Sequence, residues 1–349
     1  MAPSGPFKVA ITGDFRDKSG AVSFDDDAMA RLEASSDIAI SVLDTPVGAP
    51  IAAPLLCEYD AIVMKRSPLS AETVAAAGAV RTRFIARNGV GIEHIALEAC
   101  SRAGILVANT PEAVRRPLAS AALAFILNLA HGIKQKDASL RAEGWAGRFR
   151  HPGVGLADRT LGVVGCGNIG QELLALIAPF GMECLAAAPS KTDAEVARHG
   201  ATRVPLDTLL ARSDFVALCC PLTAETHKMI NAASLARMKP GSYLVNIGRG
   251  ALVEEKDLLA GLESGHLAGA ALDVFDPEPT APDNPLLALP NVIVTAHNAG
   301  ITDENMRRGN SGAATAVLAF VAGERPHAIV NPDALDHPRL AGLAAAAPT

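Results

Sequence analysis

The sequence predicts an α/β protein built from two doubly wound parallel-sheet domains. Three observations lead there. Short apolar runs alternate with Ala- and Leu-rich helical segments almost throughout, the order that parallel sheets with covering helices require. Hydrophobic residues make up 49% of the chain but aromatics only 4%. The core must therefore come from Ala, Val, Leu and Ile, the residues of strands buried on both faces. At 349 residues the chain is too long for one ordinary domain and fits two.

The elements follow in order. "FKVAIT", "DIAISVL", "YDAIVMK", "TRFIA" and "ILVAN" are the first set of strands. Pro111–His131 comes next, and its second half reads as a long buried helix joining the domains. The stretch around Trp145 and "RFRHPGVG" reads as a loop. At Thr160 a second set begins: "TLGVVG", "MECLAAA", "DFVALCC", "SYLVNIG", "LAGAALDVF" and "VIVTAH". A last helix is expected over roughly Asp303–Gly323. The Ala-rich tail "AGLAAAAPT" is expected to fray. No internal repeat has solenoid spacing.

Composition excludes some functions. The formal net charge is −6, spread without long runs, which argues against a nucleic-acid or anionic-membrane partner. Six cysteines occur at 57, 100, 166, 184, 219 and 220. None forms a CxxC pair and no Cys/His cluster has zinc spacing, so no metal site is expected. Most read as small core residues in a reducing compartment. The start "MAPSGPFKVAITG" has no basic-then-apolar signal pattern. No apolar run reaches membrane-spanning length without a charge or Pro. The expected location is the cytoplasm.

Chemistry enters with "GCGNIG", Gly165–Gly170. The strand "TLGVV" precedes it and the helical "NIGQELLALIAPFG" follows. In this context Gly165 allows the tight turn, Gly167 lets a pyrophosphate approach the backbone, and Gly170 lets the helix pack on the strand. The helix start at Asn168 and Ile169 turns backbone N–H groups toward phosphates. A ligand-free glycine turn is the plainer alternative.

Three later strands end in polar groups. "SYLVNIGRG" ends in Arg249, "LAGAALDVFDPEP" carries Asp273 and Glu278, and "NVIVTAHNAG" carries His297. Ligands of open parallel sheets bind beyond the carboxyl ends of strands. An Arg, a carboxylate and a His at one rim suit hydride transfer to a 2-keto acid. Arg249 grips the carboxylate or carbonyl oxygen. His297 gives a proton to the new alkoxide. Glu278 holds the other imidazole nitrogen and favours its protonated form. The cofactor supplies the hydride. Singly, such a His or Glu is more often structural.

These motifs resemble the D-isomer-specific 2-hydroxyacid dehydrogenases. The likeness runs through "LGVVGCGNIG", "CCPLTAETHKMI", "MKPGSYLVNIGRGALVEE", "LAGAALDVFDPEP" and "LLALPNVIVTAHNAG". The resemblance implies Arg249, Glu278 and His297 as catalytic residues, with Asp273 near the nicotinamide amide. It adds Pro221 to the cofactor set. It also implies that backbone N–H groups around Asn88, Gly89, Val90 and Gly91, in "ARNGVGIEHI", bind the substrate carboxylate. The fold it implies is a Rossmann coenzyme domain, 110–309, inserted into a flavodoxin-like substrate domain, 1–109 and 310–349. Substrate would sit in a cleft that closes during turnover, in a homodimer using the helix near 115–131. Two departures stand out: Glu93-His94 replaces the more usual Asp-Asn, and Ser120 stands where many relatives carry Glu.

The dinucleotide is read from "CLAAAPSK". An NAD-binding strand here usually ends in Asp or Glu, about 20 residues past the glycine turn, to hold the ribose 2′-OH. This one ends in Ala188, which removes a carboxylate that would repel a 2′-phosphate. Ser190 offers a hydroxyl and Lys191 a cation, with Arg198 or Arg203 as further charge. NADP(H) is therefore favoured and NAD(H) possible. A relaxed site that accepts both is the alternative.

The expected substrate is a small keto acid of the glyoxylate or hydroxypyruvate type. Arg66-Ser67 in "MKRSPLS" resembles a phosphate grip of phosphoglycerate dehydrogenases, or is an ordinary polar strand end. The chain stops soon after "IVNP", which leaves phosphoglycerate oxidation as the second enzyme reading. A non-catalytic NAD(H)-sensing protein of the same fold is a third. Cys166, inside the glycine turn, is read as an inert small residue rather than a redox switch. Arg115-Arg116 is read as a solvated helix start rather than as lining of the cleft.

Overall fold

The structure is a computed structural model that describes residues 5–344 apart from Lys18 and Asp25. The chain forms two compact units, 1–114 with 302–349, and 115–301.

The first unit holds strands β1 (Phe7–Ile11), β2 (Ile38–Val42), β3 (Ala61–Met64), β4 (Phe84–Arg87) and β5 (Leu106–Asn109). All pair in parallel, in the order β2-β1-β3-β4-β5, the flavodoxin-like winding. Both faces are buried, so side chains alternate between two apolar clusters with the period of a strand. Val9, Ile11, Ala61, Val63 and Phe84 point to one. Ala10, Ile62, Met64 and Ile85 point to the other. Helix Asp303–Val321 packs on the first face, where Phe320 stacks on Phe84 at 4.9 Å between ring centroids.

The second unit holds β6 (Thr160–Val164), β7 (Glu183–Ala187), β8 (Thr202–Arg203), β9 (Phe215–Leu218), β10 (Ser242–Asn246), β11 (Leu267–Leu272) and β12 (Val292–Val294). The order is β12-β11-β10-β9-β6-β7-β8, parallel throughout. Strand order reverses between β6 and β9, the switch point at which such sheets bind ligands. Phe215 and Ala217 enter one core, Val216 and Leu218 the other.

The eleven strands expected from sequence are all present. The two-residue β8 is too short to leave a periodic signal. The compact units divide at 114/115 and 301/302, against the expected 109/110 and 309/310; the second shift follows from helix Asp303–Val321 belonging whole to the first unit. Pro111–His131 is one helix from its first residue, in spite of Pro117. A proline there cannot bond the carbonyl four residues back. That carbonyl, on Ala113, instead accepts the Asn305 side-chain amide at 3.2 Å. By length and composition this helix could cross a membrane, yet Ala119, Ala122 and Ile126 are fully buried in the second unit's core. A further helix, Ile133–Glu143, occupies a stretch with no clear apolar stripe. Of the tail expected to fray, 345–349 lie outside the described residues. Ala344 pairs with Glu324 as an isolated bridge.

Candidate active site

The glycine turn is built as its spacing suggests. Gly165 has φ +97°, and a Cβ there would lie 2.7 Å from the Cys220 nitrogen. A Cβ on Gly170 would collide with the Gly165 carbonyl. Gly167 differs, because a Cβ there would meet no atom of the protein within 4 Å. It stands at the N-cap of helix Asn168–Ile177 and brings no capping side chain. Two glycines thus fit the chain to itself, and the third leaves the backbone open in front of a helix N-terminus. That is the arrangement a pyrophosphate needs, so the turn fits a dinucleotide. Ile169 packs against the core beside the turn. Pro221, just past β9, accepts the Thr226 hydroxyl at 2.8 Å.

At the end of β7, Ala188 is buried and Ser190 is exposed. Lys191 Nζ lies 3.2 Å from Glu195 Oε1. Arg203 pairs with Asp193 at 2.6 Å, and Arg198 donates to the Ala194 carbonyl. The extra cations considered from sequence therefore already have partners. Burial pushes the Cys166 thiol up despite Lys191 nearby, in keeping with the inert reading.

β10, β11 and β12 are neighbours in the sheet, and their carboxyl ends carry the polar set. Asn246 closes β10: its Oδ1 accepts the Gly248 N–H at 3.1 Å and its Nδ2 donates to the Arg249 carbonyl at 2.9 Å. Arg249 follows, half-buried, with Nη1 donating to the Gly248 carbonyl at 2.8 Å. Next to it Gly250 sits so close to Phe275 that a Cβ would collide with the Phe275 carbonyl. The Arg249 turn thus rests against the loop that carries Glu278. Glu278 Oε1 accepts the Phe275 N–H at 3.2 Å, and its Oε2 lies 2.7 Å from His297 Nδ1. With Nδ1 donating to the carboxylate, Nε2 is the nitrogen left to exchange a proton. His297 has φ +52°, a left-handed backbone that costs a non-glycine residue energy.

Asp273 is 2% exposed. Its Oδ1 accepts three donors: Thr295 Oγ1 at 2.6 Å, the Asn298 N–H at 2.9 Å and the Ala299 N–H at 3.0 Å. In the protein it organises the His297 turn, a role the sequence did not suggest.

The first unit holds the remaining candidates. Gly89 has φ +128°. The Asn88 N–H donates to the Met64 carbonyl at 2.8 Å, and the Gly89 N–H to Thr110 Oγ1 at 2.7 Å. These two are therefore committed, which narrows the expected set of four: among the described residues, Val90 and Gly91 donate to no protein acceptor. The Asn88 side chain bonds Asn310 at 2.7 Å. Arg66 is exposed, and its N–H is one of several gathered by buried Asp14, with those of Lys65, Gly48 and Ser67. Burial and then Arg87 lower the His94 pKa.

Three residues escaped sequence reasoning. Asp14 left no signal. Glu195 stands in "TDAE", the spacing of a capping box. Glu172 pairs with Arg115 at 2.9 Å and Arg116 at 2.6 Å, ion pairs added to a helix start that stays partly solvated, as expected.

Comparison with known proteins identifies the family. Residues 123–299 match the model for the D-isomer specific 2-hydroxyacid dehydrogenase, NAD binding domain. A glyoxylate reductase of Korarchaeum cryptofilum is 37% identical over 78% of this chain and 83% of its own. A D-3-phosphoglycerate dehydrogenase of Mycobacterium leprae is 38% identical over 79% of this chain and 52% of its own, so the chain spans about half the length of that relative. Among solved structures, the TT0316 protein of Thermus thermophilus superposes with TM-score 0.78 at 31% identity, covering 93% of this chain and all of that one. The chain belongs to the D-isomer specific 2-hydroxyacid dehydrogenase family.

Proposed function

We propose that the protein is an NAD(P)-dependent D-2-hydroxyacid dehydrogenase that reduces a small 2-keto acid of the glyoxylate or hydroxypyruvate type. The observation that carries this is the His297–Glu278 pair at 2.7 Å, set beside the Arg249 turn at the carboxyl edge of the second sheet. The nicotinamide, when bound, supplies the hydride. His297 Nε2 gives a proton to the substrate oxygen that becomes the hydroxyl. Glu278 fixes the ring and balances its charge. Arg249 draws electron density toward the carbonyl oxygen or holds the adjoining carboxylate. In the first unit by itself, the N–H groups of Val90 and Gly91 are the candidates for binding a carboxylate.

NADP(H) is the favoured cofactor in this reading. Ala188 brings no charge against a 2′-phosphate, and Ser190 and Lys191 stand at the turn that would meet it. The six free cysteines suit a cytosolic protein. Ile133, Leu140, Trp145 and Phe149 are all more than half exposed, which supports a homodimer covering them.

A second reading, D-3-phosphoglycerate dehydrogenase, is favoured by the name of the 38% relative and by exposed Arg66. Initial rates with glyoxylate, hydroxypyruvate, pyruvate and 3-phosphohydroxypyruvate, each with NADPH and NADH, decide between them. A kcat/KM at least tenfold higher for glyoxylate or hydroxypyruvate upholds the first reading. The reverse order selects the second. Binding of either dinucleotide with no turnover in the panel selects a nucleotide-sensing protein.

A further inference from the structure

The cation at the end of β7 has a fixed companion. Lys191 Nζ meets Glu195 Oε1, while Glu195 Oε2 accepts the Thr192 N–H and hydroxyl, both at 2.8 Å. Thr192 Oγ1 accepts the Glu195 N–H in return at 3.3 Å. This is a capping box on helix Asp193–Ala197, and it divides the carboxylate: one oxygen holds the turn and the other faces the lysine. The bonds from the Thr192 N–H, its hydroxyl and then Lys191 pull the Glu195 pKa down to about 2, so the group stays ionised wherever an enzyme works. It cannot swing away without opening the box.

We propose that Glu195 sets the cofactor preference, by competing with a 2′-phosphate for Lys191. This deepens the cofactor reading above and rests on the turn after β7 meeting the adenosine ribose. The acid missing from the strand end is replaced by one a turn further along. A phosphate arriving there finds a neutral Lys–Glu pair rather than a bare cation, and must share the lysine with a like charge. The protein would then take both dinucleotides, with NADP(H) held back from the strict preference that "PSK" alone suggests. Glu195 acts through Lys191, so it is a positioning residue for the cofactor's charge.

The test is a double-mutant cycle of Glu195→Gln and Lys191→Met, read as dissociation constants for NADPH and NADH by titration calorimetry, which needs no keto acid. Gln preserves the capping box, and Glu195→Ala serves as a second variant. Glu195→Gln should raise the affinity ratio of NADPH over NADH at least fivefold, and Lys191→Met should lower it as much. In the Lys191→Met background the Gln effect should vanish, which a merely structural role would not produce. If Lys191→Met leaves the ratio unchanged, Lys191 does not meet the phosphate and the underlying cofactor reading falls. If Lys191→Met lowers it but neither Glu195 variant moves it, only the competition is overturned. A Gln effect that persists without Lys191 also overturns it.

Discussion

Asp273 holds His297 from two sides. Its carbonyl accepts the His297 N–H at 2.6 Å, and its carboxylate gathers the N–H groups of the next two residues, Asn298 and Ala299, with the Thr295 hydroxyl. A left-handed histidine is thus pinned on both flanks. The imidazole reaches Glu278 because the backbone beneath it cannot relax.

Replacing Asp273 by Ala should therefore act through the turn. Three donors lose their acceptor, at a cost of about 2–4 kcal/mol in stability. The kcat with a keto acid should fall more than tenfold as His297 loses its geometry. Asp273→Asn, which keeps an acceptor oxygen, should recover much of the stability. Denaturant unfolding and steady-state kinetics on the two variants check this. Equal stability loss in both would place the effect on the charge instead of the acceptor.

His297→Gln tests the proton transfer itself. Loss of a general acid costs about 10²–10⁴ in rate. The dissociation constant for NADPH should stay within about twofold, because the residues assigned to its phosphates lie on other loops. A rate reduced less than about tenfold would remove His297 from the chemistry.

The glycine turn separates folding from binding. Gly167→Ala places a methyl where the chain itself has nothing within 4 Å, whereas Gly170→Ala drives one into the Gly165 carbonyl. The first variant should melt within about 2 °C of wild type and bind dinucleotide at least tenfold more weakly. The second should be destabilised by about 1–3 kcal/mol. Thermal melts with and without NADPH distinguish them. A Gly167→Ala protein that binds normally would show that no phosphate approaches there.

The contrast among these glycines shows how far the sequence could be read. The strands and their polar ends were legible because each rests on a local pattern: short apolar runs, a turn before a helix, a charged residue past a strand. What escaped depends on partners far apart in sequence. Asp273 reads as a strand-end acid, and only the fold shows it 22 to 26 residues away from Thr295, Asn298 and Ala299. Likewise the pairing of Arg115 and Arg116 with Glu172, 57 and 56 residues on, leaves no local pattern. Helix Pro111–His131 runs through Pro117 because Asn305, far along the chain, takes the orphaned carbonyl. Lys191–Glu195 is the exception, a local pair four residues apart.

Asp14 carries the clearest pH dependence. Burial alone would raise its pKa. Bonds from the Gly48 and Arg66 N–H groups and from the Ser67 hydroxyl and N–H outweigh that and bring it down to about 2 from 3.8. A depressed carboxyl stabilises the fold above its unfolded pKa and loses that contribution as pH falls through the folded one. The window is therefore from about pH 4 down to about pH 2, and the contribution is on the order of 2 kcal/mol. Asp14→Asn should be less stable than wild type at pH 7 by at least this amount, since Asn also offers one acceptor oxygen fewer to Lys65, Arg66, Ser67 and Gly48. Urea unfolding of both proteins at pH 7, 4 and 3 reads the difference. It should be constant between pH 7 and 5 and narrow below pH 4. A difference that stays constant down to pH 3 would mean that the Asp14 charge contributes nothing and that its hydrogen bonds act through geometry alone.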